Sequence, residues 1–210
     1  MDKMDIKDNK TGIPLAHYLG LVAAADPNEL AARTGTQYDA AAGVFRLRFL
    51  GRDVTITHPG FDARYAESDE RLRDVEKILL ARFLLEARFV ESGGKFLAYA
   101  EMPWGEVYSK NFNGRCILRL AYGFGGKLDV FKKACLAVGG RAIEGGDAAF
   151  ELDFLGNLAL RLIIWGPDDE FPPSSQILFS DNFQYAFNAE DMAVVGDVLI
   201  DRLKQAADNR

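Results

Sequence analysis

The chain has 210 residues, of which 49% are apolar and 27% charged, with a formal net charge of −6 at pH 7. This composition is typical of a globular protein with a real core and excludes disordered, fibrous and membrane-embedded classes. The negative charge argues against a nucleic-acid surface, which needs clustered Lys and Arg. Because no apolar run reaches membrane-span length and the polar N-terminus lacks a signal-peptide core, we expect a cytoplasmic protein.

The cysteines and histidines do not suggest a metal site. Cys116 and Cys135 are the only cysteines, too few for an iron–sulfur site or a zinc ribbon made by this chain alone. Both lie in apolar, helix-like stretches, where a buried and inert thiol is the usual case. His17 and His58 have no paired ligand spacing, so neither zinc nor haem is predicted.

The first elements of the chain are predicted from caps and periodicity. A helix should begin at Pro14, and a second should follow the Asp26 cap and stop at Gly35. Apolar and polar residues then alternate on both sides of Gly51, as in a β-hairpin with one buried face. A long helix capped by Ser68 is expected to cover this hairpin.

The second half of the sequence repeats this plan. Without a gap, "LAARTGTQYDAAAGVFRLRFLG" from Leu30 matches "CLAVGGRAIEGGDAAFELDFLG" from Cys135 at seven small or apolar positions. A second hairpin strand over 158–165 and a capped helix from near Asn188 follow, in which Gly196 permits close packing. We therefore predict an internal duplication over about 26–90 and 131–206, with chance similarity of amphipathic strands as the alternative.

The predicted fold is a single α+β domain over residues 1–210. Its antiparallel-rich sheet is built from two related helix–hairpin–helix units, with helices packed mainly on one face. Arg46 and Arg48 in one repeat correspond to Glu151 and Asp153 in the other. These opposite charges could pair across adjacent strands, or they could simply belong to two solvated strand faces.

A glycine-rich and aromatic segment, residues 92–126, joins the repeats and is expected to be irregular. It contains Trp104, Glu106 and Tyr108, and Trp165 stands beside a glycine and acids further on. Aromatic side chains next to loops can stack on flat ligands, although they can equally cover the open side of a sheet. A cavity faced by both tryptophans would be the predicted ligand site.

The acidic loop "WGPDDEFPPSSQILFSDN", residues 165–182, is the second candidate site. Asp168, Asp169 and Glu170 could provide oxygen ligands for a hard cation, but their spacing matches no calcium loop. The following proline pair stiffens the segment, which favours a structural corner before a short strand. Ser174 has no predicted base nearby, so serine hydrolysis is not predicted.

The same C-terminal block carries a family resemblance. The resemblance is carried by the Glu-Phe-Pro-Pro motif, the Ile-Leu-Phe strand, the polar-capped helix and the stretch from Trp104 to Tyr108. In these features the chain resembles a bacterial and archaeal domain of unknown function that is frequent in anaerobes. Some members join this domain to a four-cysteine module like that of corrinoid iron–sulfur proteins. The resemblance implies an iron–sulfur or corrinoid protein as partner, since this chain has no such module.

The sequence is compatible with two functions. The favoured one is a non-catalytic binding or accessory module for a planar cofactor, or for a cofactor-bearing partner, in anaerobic redox or one-carbon metabolism. Its candidate ligand-binding residues are Trp104, Glu106, Tyr108, Trp165, Asp168, Asp169, Glu170 and Ser174. The alternative is an enzyme that uses Asp168–Glu170 as acid, base or metal ligand.

Overall fold

The computed structural model describes residues 6–68 and 70–208, which group into two compact units. Unit 1 ends at Phe89 but leaves out the hairpin tip Phe49–Arg52, which groups with the residues from Val90 onwards as unit 2. The chain is 46% helical and 25% strand, and the strands pair antiparallel, which confirms an α+β fold. Among the described residues, no helix combines the length and apolarity of a bilayer crossing.

The described part of unit 1 contains three helices and four strands. The helices are α1 (Ile6–Ala24), α2 (Pro27–Thr34) and α3 (Asp74–Glu86), and the strands are β1 (Gln37–Asp39), β2 (Val44–Phe49), β3 (Arg52–Thr57) and β4 (Ala63–Tyr65). The cap and stop of α2 are confirmed: the Asp26 carboxylate accepts the Asn28 N–H at 2.8 Å, and Gly35 has φ 68°. Leu50 and Gly51 both have positive φ, as the two-residue turn of the predicted hairpin requires.

Two predicted helix starts in unit 1 are wrong. Helix α1 begins before Pro14 and carries this residue in its interior. Helix α3 begins at Asp74 and not after Ser68, because residues 70–72 pair with β4. The Tyr65 N–H donates to the Glu70 carbonyl, and the Leu72 N–H donates to the Ala63 carbonyl, so this stretch is held extended up to the helix.

Unit 2 is built on a sheet whose central strands are long. Its strands are β5 (Phe96–Ala98), β6 (Arg141–Ile143), β7 (Ala148–Leu155), β8 (Leu158–Trp165) and β9 (Ser174–Ser180). Their order is β7-β8-β9-β5, with β6 also paired to β7. Alternate residues such as Leu152, Leu160 and Phe179 are fully buried, so one face of the sheet forms the core of this unit.

The described helices of unit 2 include two that the sequence did not predict, α4 (Gly105–Phe112) and α5 (Leu118–Phe124). They also include α6 (Leu128–Ala137) and α7 (Ala189–Asp208), and a π-helical turn (Asn113–Ile117) joins α4 to α5. The expectation that 92–126 is irregular is therefore wrong, since most of this segment is helical. The second hairpin and the C-terminal helix near Asn188 are where the sequence placed them.

The two halves of the chain have the same order of elements. A helix, a short strand, a hairpin, one more strand and a helix run from α2 to α3 and again from α6 to α7. This order agrees with an internal duplication, which stays a prediction, as does the single-domain organisation. The charged strand residues have partners within their own unit: Arg46 pairs with Asp39, and Glu151 pairs with Arg141 and Arg161.

Candidate functional site

A cavity of about 410 Å³ opens in unit 2 at the edge of β9, and we call it the β9 cavity. Its walls come from the end of β5 and the 3₁₀ turn Tyr99–Glu101, from α4 with the π turn, and from the first half of β9. The lining residues are Ala98, Tyr99, Ala100, Ser109, Lys110, Phe112, Asn113, Ile117, Ser175, Gln176, Ile177 and Leu178.

The cavity exists because β5 is much shorter than β9. Strand β5 pairs only with Leu178–Ser180 and then turns away at Ala98, whose N–H donates to the Glu101 carboxylate at 2.7 Å. Residues Ser174–Ile177 are paired with β8 on one side, and no described strand pairs with their other side. The first half of β9 is therefore an open strand edge facing the helix.

The helical wall owes its shape to the π turn. Phe112, Cys116, Leu120 and Phe124 are all buried, and they recur every four residues instead of at the α-helical average of about 3.6. One π turn absorbs the extra residue and keeps the four side chains on the buried side. The Ser175 hydroxyl donates to the Ile117 carbonyl at 2.8 Å and ties the strand to this turn.

Two stacked aromatic rings form the rigid part of the cavity wall. The Tyr99 and Phe112 rings are parallel, with centroids 4.0 Å apart, and the Tyr99 hydroxyl donates to the Ala189 carbonyl at 2.7 Å. Burial raises the pKa of Tyr99 to about 12, so the phenol is neutral at physiological pH. These residues fix an apolar surface on this side of the cavity.

Lys110 gives the cavity a positive charge at its mouth. Its side chain is exposed, and within residues 6–68 and 70–208 it takes part in no ion pair. The exposed amides of Asn113 and Gln176 and the Ser109 hydroxyl complete the polar rim. An apolar interior with a cationic rim suits a ligand that has an apolar body and an anionic group.

The two cysteine thiols, Cys116 and Cys135, are buried. Burial raises the pKa of Cys116 to about 12 and also raises the pKa of Cys135, so both thiols stay protonated. The Cys116 thiol donates to the Ala193 carbonyl at 3.5 Å. In the part of the chain that the structure describes, no group of three or more His, Cys, Asp or Glu side chains could hold a metal ion.

Three of the predicted site residues cluster at the start of α4. Trp104 precedes the helix with φ 64° and is 76% exposed, and Glu106 and Tyr108 are exposed on the first two turns. Val107, which is also exposed, adds to the apolar surface. This cluster is continuous in sequence with the cavity-lining residues Ser109 and Lys110, although its own members do not line the cavity.

The other predicted site residues lie at the far end of the helical wall. Trp165 and Ser174 are opposite each other where β8 and β9 meet the acidic loop. Gly125, just after α5, is in close contact with this loop. A Cβ added at Gly125 would lie 2.4 Å from the Pro173 side chain, and a Cβ added at Gly166 would lie 3.4 Å from the Gly125 carbonyl oxygen. Since α4, the π turn and α5 together rise by roughly 30 Å, the two tryptophans do not face one cavity.

Hydrogen bonds within the acidic loop hold it in a turn. The Asp168 carboxylate accepts the backbone N–H groups of Glu170 and Phe171 at 2.8 and 2.7 Å. Asp169 and Glu170 are exposed. Asp168 thus closes a turn of its own loop, and the following prolines lead into β9.

Sequence reasoning missed the residues that line the cavity. Tyr99, Lys110 and Gln176 come from three segments that only tertiary structure brings together. One local signal was available: the four-residue spacing of Phe112, Cys116, Leu120 and Phe124 indicates a buried helix with one extra residue. The intervening Asn113-Gly114 pair, which is typical of turns, hid this pattern.

A family model described as a domain of unknown function (DUF3786) matches residues 26–202. No curated protein and no solved structure matches the chain.

Proposed function

This chain belongs to the DUF3786 family, and we propose that it is a binding protein whose ligand occupies the β9 cavity. The observation that carries this proposal is the combination, in one place, of an apolar cavity of about 410 Å³, an open strand edge and Lys110, which has no ion-pair partner among the described residues. A volume in the range of roughly 300–1,000 Å³ is usual for ligand pockets.

Two features support a binding role over a catalytic one. The cavity is walled by a neutral phenol, aliphatic side chains and amides, which offer contact surface and hydrogen bonds. Close by, Trp104, Val107 and Tyr108 leave apolar surface exposed, and such patches are typical of interaction sites. An enzyme that uses Asp168–Glu170 has less support, because Asp168 is occupied in closing its loop.

The proposed occupants are a planar cofactor or a segment of a cofactor-bearing partner. The family resemblance suggests iron–sulfur or corrinoid proteins of anaerobic redox or one-carbon metabolism as such partners. A flat, apolar molecule with an anionic group would stack near Tyr99 and Phe112 and place its charge at Lys110. A partner would use the same cavity as an anchor point and the exposed α4 surface as additional contact area.

A cavity-filling variant tests the proposal. Ala98→Phe places a ring in the cavity, whereas Ala142→Phe adds the same ring to another three-residue strand, at an exposed position outside the cavity. Each protein is purified anaerobically, incubated with cell extract, re-isolated and examined by native mass spectrometry and absorption spectroscopy. We expect a mass addition on the wild type and on Ala142→Phe that is lost from Ala98→Phe.

Two results would contradict the proposal. One is an equal mass addition on Ala98→Phe, which would place the ligand elsewhere. The other is an unmodified mass for all three proteins after incubation with extract. Circular dichroism confirms beforehand that both variants are folded.

A further inference from the structure

We propose that the occupant of the β9 cavity is an extended segment of a partner protein, which adds as a strand to the open edge at Ser174–Ile177. The segment would insert an apolar side chain into the cavity and place a carboxylate at Lys110. This inference rests on the proposed binding function and names the chemistry of the ligand.

The strand edge provides the backbone part of the recognition. The Asp181 N–H donates to the Lys95 carbonyl, on the side of β9 where β5 lies. Because peptide groups alternate along an antiparallel strand, the backbone of Ile177 and Ser175 points to that same side. Strand β5 has ended there, so an added strand continues the sheet where β5 leaves it.

The cavity provides the side-chain part of the recognition. In an added strand, alternate side chains point to the same side, and one of them would enter the space beside the stacked Tyr99 and Phe112 rings. Ala98 and Ala100 leave this space open, because their side chains end at Cβ. An aromatic or branched aliphatic residue is the side chain that such a wall selects.

Charge complementarity identifies the second element of the segment. Lys110 lies on the rim of the cavity and, within the described chain, has no carboxylate partner. By contrast, Arg115 and Arg119 on the same helical wall are paired with Asp197 of α7. An acidic residue of the segment would therefore meet a cation at the cavity rim that no described carboxylate neutralises.

A displayed library of short random peptides is the probe. It is selected against the wild type with Ala98→Phe present as a competitor in solution, and enriched peptides are synthesised with a fluorescent label for polarisation measurements. We expect enriched peptides to share an apolar residue with an acidic residue close by. Lys110→Glu should weaken their binding by at least about tenfold, the scale of 1.4 kcal/mol.

The matched controls separate this site from general electrostatics. Lys132→Glu makes the same charge change at an exposed position of α6 and should alter binding by less than about twofold. A peptide whose acidic residue is replaced by lysine should bind Lys110→Glu better than it binds the wild type. Peptides N-methylated on the backbone should lose binding, and hydrogen exchange at Ser175–Ile177 should slow when the unmethylated peptide binds.

Several outcomes would overturn the inference. The first is that the selection enriches no peptides. The second is that the enriched peptides bind Lys110→Glu as tightly as the wild type. The third is that the peptides still bind after N-methylation at every backbone position. Mass spectrometry could also find a small planar molecule on the wild type but not on Ala98→Phe, while the selection enriches no peptides. That result would overturn the inference of an added strand, but the proposed binding function would stand.

Discussion

Gly196 of α7 lies directly against the Cys116 side chain in the π turn: a Cβ at Gly196 would be 2.6 Å from the Cys116 Sγ. The sequence predicted close packing at Gly196, and the contact confirms it. The absent side chain lets α7 approach the widened turn that forms the wall of the β9 cavity.

Gly196→Ala should therefore destabilise the protein in spite of the better helix propensity of alanine. We expect a loss of about 1–3 kcal/mol in the free energy of unfolding from overpacking. The double variant with Cys116→Ala should recover at least half of it, measured by urea denaturation as a double-mutant cycle. The control Gly123→Ala on α5, where the nearest atom is Lys204 Cε at 3.6 Å, should be neutral or stabilising; a loss equal to that of Gly196→Ala would contradict the explanation.

Glu151 lies between Arg141 and Arg161 on neighbouring strands, with hydrogen bonds of 2.9 and 2.8 Å. Burial alone would raise the pKa of Glu151, but the bonds from Arg161 and Arg141 outweigh it and hold the pKa below its usual value. A lowered carboxyl pKa stabilises the folded state above the unfolded pKa of about 4.3, and this contribution is lost as the pH falls through the folded value.

Glu151→Gln should lower the free energy of unfolding by about 1–2 kcal/mol at neutral pH, since it removes hydrogen bonds between charged groups. Its difference from the wild type should shrink as the pH falls below about 4. Denaturant titrations across this range measure both effects. Asp153→Asn, whose side chain is 49% exposed and pairs with Arg141, is the control and should change stability by less than about 1 kcal/mol.

The loop after β8 is predicted to depend on one of its three acids. Asp168→Ala removes the acceptor of two backbone hydrogen bonds and should lower stability by about 1 kcal/mol. Asp169→Ala combined with Glu170→Ala should leave stability and ligand binding unchanged, because both side chains are exposed. Thermal denaturation and the mass-addition assay test the two variants. Loss of ligand from the double variant would show that Asp169 or Glu170 takes part in ligand binding.

Trp104 is predicted to contribute to binding and not to folding. Its backbone has φ 64°, which costs a non-glycine residue roughly 1–2 kcal/mol, and its side chain is 76% exposed. Trp104→Gly should therefore keep or raise the free energy of unfolding, whereas Tyr108→Gly within α4 should lower it by about 1 kcal/mol. Denaturant titration compares the two, and a larger loss for Trp104→Gly would show that the indole is structural.

The sequence predicts those elements whose signals are local. Alternation around Gly51 and Gly156 is enough for both hairpins, and Asp26 with Gly35 is enough for α2. The start of α3 was misplaced because Ser68 resembles a cap, while pairing of residues 70–72 with β4 delays the helix. That pairing is a tertiary contact, which residue spacing does not reveal.

The candidate site was only partly predictable, for the same reason. The aromatic cluster at Trp104 and Tyr108 was identified from composition, but the cavity depends on where β5 ends relative to β9. Nothing in "KFLAYAEM" marks Ala98 as the last strand residue, except that Glu101 can bond the Ala98 N–H. The length difference between two neighbouring strands thus created the site.

The π turn also makes the number of residues, and not only their identity, a constraint on this protein. In an α-helix each residue turns the chain by about 100°, so side chains spaced four residues apart drift by about 40° per step, and the π turn corrects this drift by taking up one residue. Removing one residue between Asn113 and Ile117 would replace the π turn by an α-helical turn and leave Phe112 and Phe124 on the same, buried side. Single deletions here should consequently keep the fold but remove the widened turn, so they should abolish binding in the β9 cavity without unfolding the chain.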